Sequence, residues 1–295
     1  MAAAVLPARM TRGVGERTAV LAAHLPVSSG RFAGPGRRRQ LVASHLRRVY
    51  GPDLPPRELD RRVDEAFASY GRYWAECMQL RSLGPAQISA GMTYEGLENI
   101  VAGEEAGRGT ILAVAHLGGW DWGGSDLART GHPISVVVEE LEPPEMFRWF
   151  ASFRERLGMH VIPMGPHAAA ACSQALAANQ LLCLLCDRIV GDAAAVEVEF
   201  FGERTMMPAG PAVLALRTGA VLLPAVVYFG PKLNQHVGVI RPALDLRRQG
   251  RLRDDVQTVT QHIARELEGL IRRAPTQWHL MHPNWPSDHD LPLRY

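Results

Sequence analysis

Lysine is almost absent from this chain: of its 32 basic residues only Lys232 is a lysine, and the other 31 are arginine. That bias reads first as the mark of a GC-rich coding sequence, although a guanidinium also suits phosphate geometry. Cysteine is scarce as well, four in 295 residues, and does not form a disulfide framework. Cys183 and Cys186 make a C-x-x-C, but inside the apolar run LLCLLC. Side chains three apart on a strand face opposite ways, which argues against a redox or metal pair and for buried thiols of a reducing cytoplasm. No uninterrupted apolar run reaches the ~20 residues that a membrane span needs. The N-terminal stretch breaks its apolar pieces with Arg, Glu and Pro, unlike a secretory signal. Internal repeats and low-complexity linkers are missing too.

The charge that is present is unevenly placed. Residues 1–50 carry nine Arg and one Glu, a net of +8, inside a chain whose total is +2. Such an end points to an anionic partner. Aromatic residues are few near those arginines and no nucleic-acid-binding module is recognisable, so an anionic membrane surface is expected rather than nucleic acid. A solvated basic tail is the plainer alternative. The division expected is a basic segment over 1–34, part of it able to lie on a bilayer as an amphipathic helix, and one domain over 35–295.

Residues 35–79 read as helical, broken by PDLPP, with Val63, Phe67, Tyr70 and Trp74 recurring at helical spacing as a core-packing stripe. After residue 95 the pattern changes to short apolar runs alternating with helical stretches. Strands are expected at Thr110–Ala115, Ile134–Val138, Leu181–Cys186 and Val221–Phe229, with VEVEFFGE as a half-exposed or edge strand. Helices are expected after Gly123, around Pro144–Leu157, and over Pro166–Ala178, Ala209–Thr218 and Leu252–Arg273. Alternation of this kind implies an α/β fold, a single domain whose mostly parallel central sheet is flanked by helices, behind a helical N-terminal part.

Three of the apolar runs end abruptly in titratable groups: TILAVA in His116, ISVVV in Glu139 and Glu140, LLCLLC in Asp187 and Arg188. Ligands of open α/β sheets bind outside the carboxyl ends of the strands, so parallel strands would bring these groups to one cleft. His116 opens HLGGWD, where Gly118 and Gly119 permit a tight turn that folds Asp121 back toward the imidazole as its orienting partner. A backbone N–H near Gly118 or Gly119 is a candidate oxyanion donor. Spacing alone is a weak signal, because a short H-x4-D arises readily by chance.

HLGGWD resembles the H-x4-D motif of the glycerolipid and lipid A acyltransferase superfamily. The text around it is similar to the phosphatidylinositol mannoside acyltransferases of bacteria, in SYGRYWAE, AHLGGWDWGG, VVVEELEPPE, FRERLG, LCDR, VEVEFFGERTMMPAGPAVLALRTGAVLLP and QWHLMHPNWP. These segments run in order from about residue 69 to residue 286. The resemblance implies a glycerolipid acyltransferase-like fold and transfer of a fatty acyl group from acyl-CoA to a sugar hydroxyl of a membrane glycolipid. A phosphatidylinositol mannoside is the expected acceptor, with a lipid A-like or lysophospholipid acceptor as the alternative. It implies His116 as general base and Asp121 as its partner. It places Glu139 and Arg154 in the acceptor cleft, Arg154 against a lipid phosphate, and Pro208, Gly210 and Pro224 along the acyl channel. Arg188, Gly118 and Gly119 complete the expected substrate-binding set. At Asp187 relatives carry Glu, and the side chain shorter by one methylene weakens the second contact to His116 expected there. Neither metal nor cofactor is implied. The place of action expected is the cytoplasmic face of the plasma (inner) membrane, as a peripheral protein.

Two rivals stand against this. His279, His282, Asp288 and His289 form a ligand-rich run that a metal-dependent hydrolase would use, yet it lacks an H-E-x-x-H pattern. A non-enzymatic lipid-binding protein on the same scaffold is the other, and retention of both His116 and Asp121 counts against it.

Overall fold

The computed structural model describes residues 35–139, 144–191 and 193–291. The basic segment over 1–34 and Glu140 lie outside the described residues. Two helices come first, α1 (Pro35–Tyr50) and α2 (Pro56–Leu80), the latter begun by the prolines of the PDLPP break. A proline suits a first helical turn because its missing N–H has no intrahelical partner to lose. Val42 and Leu46 of α1 pack on Leu59, Val63, Ala66 and Phe67 of α2. The first half of the expected apolar stripe is therefore core.

The short helix α3 (Pro85–Ser89), strand β1 (Met92–Glu95) and helix α4 (Leu97–Glu105) lead into the alternating part. It runs β2 (Thr110–Gly118), α5 (Trp120–Arg129), β3 (Ile134–Val138), α6 (Pro144–Arg156), β4 (His160–Pro163), α7 (Ala168–Ala177) and β5 (Leu181–Leu185). A hairpin of β6 (Ala195–Phe200) and β7 (Glu203–Pro208) precedes α8 (Gly210–Thr218), β8 (Val221–Phe229), β9 (His236–Ile240) and α9 (Leu252–Arg273).

Among the described residues seven strands form one sheet in the order β1-β9-β8-β2-β5-β3-β4. Strands β8, β2, β5, β3 and β4 run parallel, while β9 turns back antiparallel on β8 and β1 follows β9. VEVEFFGE is the first strand of the separate antiparallel pair β6-β7. Alternate side chains of β2 divide between the faces: Ile111, Ala113 and Ala115 join the core beneath α9, and Leu112 and Val114 join the core beneath α2, α5 and α6. Fully burying a residue such as Ile263 or Leu267 of α9 contributes about 1.5–3 kcal/mol, which is what holds that helix on the sheet. Cys186 belongs to the first core and Cys183 packs against the second, so the C-x-x-C does straddle the sheet. No helix among the described residues is long and apolar enough to cross a membrane.

Candidate active site

Strands β2 and β5 are hydrogen-bonded neighbours with Val114 opposite Leu185. Two residues further along each chain stand His116 and Asp187, so the register delivers them side by side. His116 Nδ1 lies 2.6 Å from Asp187 Oδ1, and the His116 backbone N–H donates to Asp187 Oδ2 at 3.0 Å. The indole N–H of Trp278 adds a third donor to Oδ2 at 2.8 Å. Burial by itself would push the Asp187 carboxyl up, but His116 and these donors outweigh it and hold it below the usual carboxylate range. An ionised carboxylate only accepts, so Nδ1 carries the proton and the Nε2 lone pair is free. No protein partner meets Nε2 among the described residues, and the ring lines a cavity of about 280 Å³.

The expected partnership of His116 with Asp121 is not what the structure shows. Strand β2 continues past His116 to Gly118, with the three residues between Val114 and Gly118 set against the one between Ala225 and Val227 on β8. Gly118 sits at φ +61°, and a Cβ there would come within 2.0 Å of the Val227 carbonyl oxygen. Only glycine fits that bulge. A Cβ at Gly119 would meet the His236 ring. The two glycines therefore seat the strand end against β8 and β9 and do not bend Asp121 back. The Gly119 N–H is spent on the Val227 carbonyl at 2.9 Å, which removes it as an oxyanion donor.

Asp121 enters the first turn of α5, where negative charge is favoured, and its carboxylate is bonded to side chains other than His116. Arg154 grips it with Nε at 2.7 Å and Nη2 at 3.1 Å, and the Tyr73 hydroxyl donates to it at 2.7 Å. Burial and the Asp121 charge keep the Tyr73 phenol protonated and donating. Burial works against the Arg154 charge, and Asp121 more than reverses that, so its pKa is raised. Arg154 does line the cavity, but two of its nitrogens are held by Asp121 instead of being left for a lipid phosphate. Arg188 and Glu139 also line it and form an ion pair of 2.7 Å.

Pro208 and Gly210 are absent from the cavity wall. They flank Ala209, which belongs to the core beneath α9, on the far face of the sheet. The Asp187 contact expected to be weaker is the principal one, because strand adjacency leaves no gap for a longer side chain to bridge.

Several residues of the wall were read in the sequence as core packing or, for His279, only as a ligand of the rival metal site. Tyr70, Tyr73 and Trp74 of α2 are wall residues, so the second half of the core stripe is cavity. Their signal was the concentration of aromatics at helical spacing within SYGRYWAE itself. His279 lines the cavity too: its backbone N–H donates to the His116 carbonyl at 2.7 Å, and its Nε2 lies 2.9 Å from Ser69 Oγ. Burial, with His116 adding to it, pulls the His279 imidazole down to about 3. The ligand-rich run is dispersed: His279 and His282 face the cavity, while Asp288 is bound by His45, Arg48 and the backbone N–H groups of Asn284 and Trp285. Cys183, also in the wall, has its thiol pushed up to about 12 by burial and so is not poised as a nucleophile.

A model of the bacterial lipid A biosynthesis acyltransferase family matches residues 1–287 of this chain. The phosphatidylinositol mannoside acyltransferase of Mycolicibacterium smegmatis (strain ATCC 700084 / mc(2)155) is 33% identical over 268 residues, 88% of this chain and 84% of that protein. The protein of the same name from Mycobacterium tuberculosis (strain CDC 1551 / Oshkosh) is 34% identical over 266 residues, 88% of this chain and 79% of that one.

Proposed function

The chain belongs to the bacterial lipid A biosynthesis acyltransferase family and is an acyltransferase; we propose that it moves a long-chain fatty acyl group from acyl-CoA to a sugar hydroxyl of a phosphatidylinositol mannoside, with His116 as general base. The observation that carries this reading is the free Nε2 of His116, fixed in orientation by Asp187 and turned to a largely apolar cavity. The acceptor oxygen attacks the thioester carbonyl carbon as Nε2 takes its proton. Collapse of the tetrahedral adduct breaks the C–S bond, and the imidazolium returns the proton to the departing thiolate. Asp187 stabilises the imidazolium through Nδ1, and general base catalysis of this kind contributes ~10²–10⁴-fold. A thioester is already activated, so neither a metal nor a protein nucleophile enters the scheme.

Arg188 and Glu139 stand at the acceptor side, and the basic N-terminal segment brings the protein to the anionic cytoplasmic face of the plasma membrane as a peripheral enzyme. The test is direct. Purified protein with acyl-CoA should acylate a phosphatidylinositol mannoside, read by lipid mass spectrometry. Transfer to a different lipid and none to the mannoside would reassign the acceptor while leaving the base in place.

A further inference from the structure

The cavity lies across the sheet, not along it. Its wall takes residues from six strands: Tyr94 of β1, Gly238 and Ile240 of β9, Ala225 and Val227 of β8, Leu112 and Val114 of β2, Cys183 of β5 and Val136 of β3. From His116 on β2 the way to β1 is three inter-strand steps of about 4.8 Å, roughly 14 Å. The roof is α5, whose Gly123 and Gly124 face inward. A Cβ at Gly123 would come within 2.6 Å of Val227 Cγ2, and one at Gly124 within 2.8 Å of Met159 Sδ.

At the end of this path stands Tyr94. It is half-buried on the edge strand β1 and lines the cavity. Gly238 lies directly opposite it in the register, and a Cβ on Gly238 would come within 2.6 Å of Tyr94 Cδ1 and 2.7 Å of Cε1. The ring therefore rests on bare backbone. Its hydroxyl donates to Asp126 Oδ2 at 2.7 Å, and Asp126, itself buried and taking a second bond from Ser89 Oγ, ties the ring to α5. A side chain held at both ends in this way is a fixed stop.

We infer that Tyr94 closes the far end of the acyl cavity and sets the longest acyl chain the protein accepts. The inference rests on the acyl-transfer reading above and names its specificity-determining residue. A chain that outruns the stop must fold back or leave methylenes in water, and one misfit methylene in an apolar pocket is worth about 10–200-fold in discrimination.

The experiment is calorimetric binding of S-alkyl-CoA thioethers of increasing length, which need no acceptor. In the wild type each added methylene should tighten binding about fourfold until the stop is reached, and then no further. Tyr94→Ala removes the ring and lengthens the cavity, and should move that break to longer chains, raising affinity for the first excluded thioether by about 10-fold or more. Tyr94→Trp should move the break to shorter chains, and Tyr94→Phe, which keeps the ring, should leave it in place. A break at the same length in the Ala and Trp variants would overturn the inference. Affinity independent of chain length in the wild type would instead overturn the assignment of the cavity to the acyl chain.

Discussion

Two buried carboxylates follow His116 in the sequence, and the fold uses them in opposite ways. Asp121, five residues on, is gripped by Arg154 and Tyr73 and binds α5 to α6 and α2. Asp187, seventy-one residues on, receives the imidazole, its backbone N–H and the Trp278 indole. Both are at most 2% exposed, so burial does not distinguish them. The neighbour across the sheet does. Hydrogen-bonded strands put Cα atoms about 5 Å apart whatever their separation in the chain. A helix that begins straight after a strand turns its first side chains out of the strand's line.

The largest expected effect follows from the Asp187 side. His116→Ala removes the imidazole held by Asp187 and should lower kcat by at least ~10²-fold with normal folding by circular dichroism. Asp187→Asn should cost a comparable factor, because an amide can donate to Nδ1 and so hold the imidazole in the wrong tautomer. If Asp187→Asn kept wild-type kcat, Asp187 would be reduced to a fastener for Trp278.

Asp121 should behave differently. Asp121→Ala leaves the Arg154 guanidinium buried without its partner, a loss of about 3–5 kcal/mol in denaturant unfolding. The double variant Asp121→Ala/Arg154→Met should recover much of that stability, since no lone charge remains. A double variant no more stable than the single one would show that Asp121 works chiefly through another contact, with Tyr73 the next candidate. Arg154→Lys keeps the charge and loses the two-pronged geometry, so a smaller stability loss of about 1–2 kcal/mol is expected.

Much of this arrangement was legible in the sequence, and the parts that were not share a cause. The endpoints of β3 and β8 coincide with the expected ones because each is an uninterrupted apolar run, and those of α9 because its helical period is sustained over 22 residues. The shared cleft followed from three apolar strands ending in His116, Glu139 and Arg188, all of them wall residues. Strands β1 (MTYE), β4 (HVIP) and β9 (HVGVI) mix polar residues, proline or glycine into so few positions that they did not stand out. The pairing of His116 was misread because H-x4-D is a fact about the chain and partnership is a fact about the sheet. Had TILAVA been set beside LLCLLC in register, Asp187 would have appeared opposite His116. The aromatic stripe of α2 was half misread for a related reason: periodicity locates an apolar face but does not tell a filled core from the wall of a cavity.

The smallest effect concerns His279, which shares the wall with His116 on the Asp187 side. Its imidazole is buried and held down to about 3, against an ordinary value near 6.5. The folded protein thus keeps it neutral where the unfolded chain would protonate it. The group contributes its stability in full above pH ~6.5, and that contribution is lost as pH falls from there toward 3, because the unfolded state then binds the extra proton. Urea unfolding midpoints at pH 7 and pH 5 should therefore differ more for the wild type than for His279→Gln, which cannot titrate and can still reach Ser69. Asp187 and Asp288 are both held below their ordinary range, so their losses come at more acidic pH, while His282, also pulled down by burial, loses stability in the same window in both proteins and leaves the difference to His279. Equal pH sensitivity in the two proteins would mean that the acid loss comes from a different group, and His279 would keep only its role as the wall beside His116.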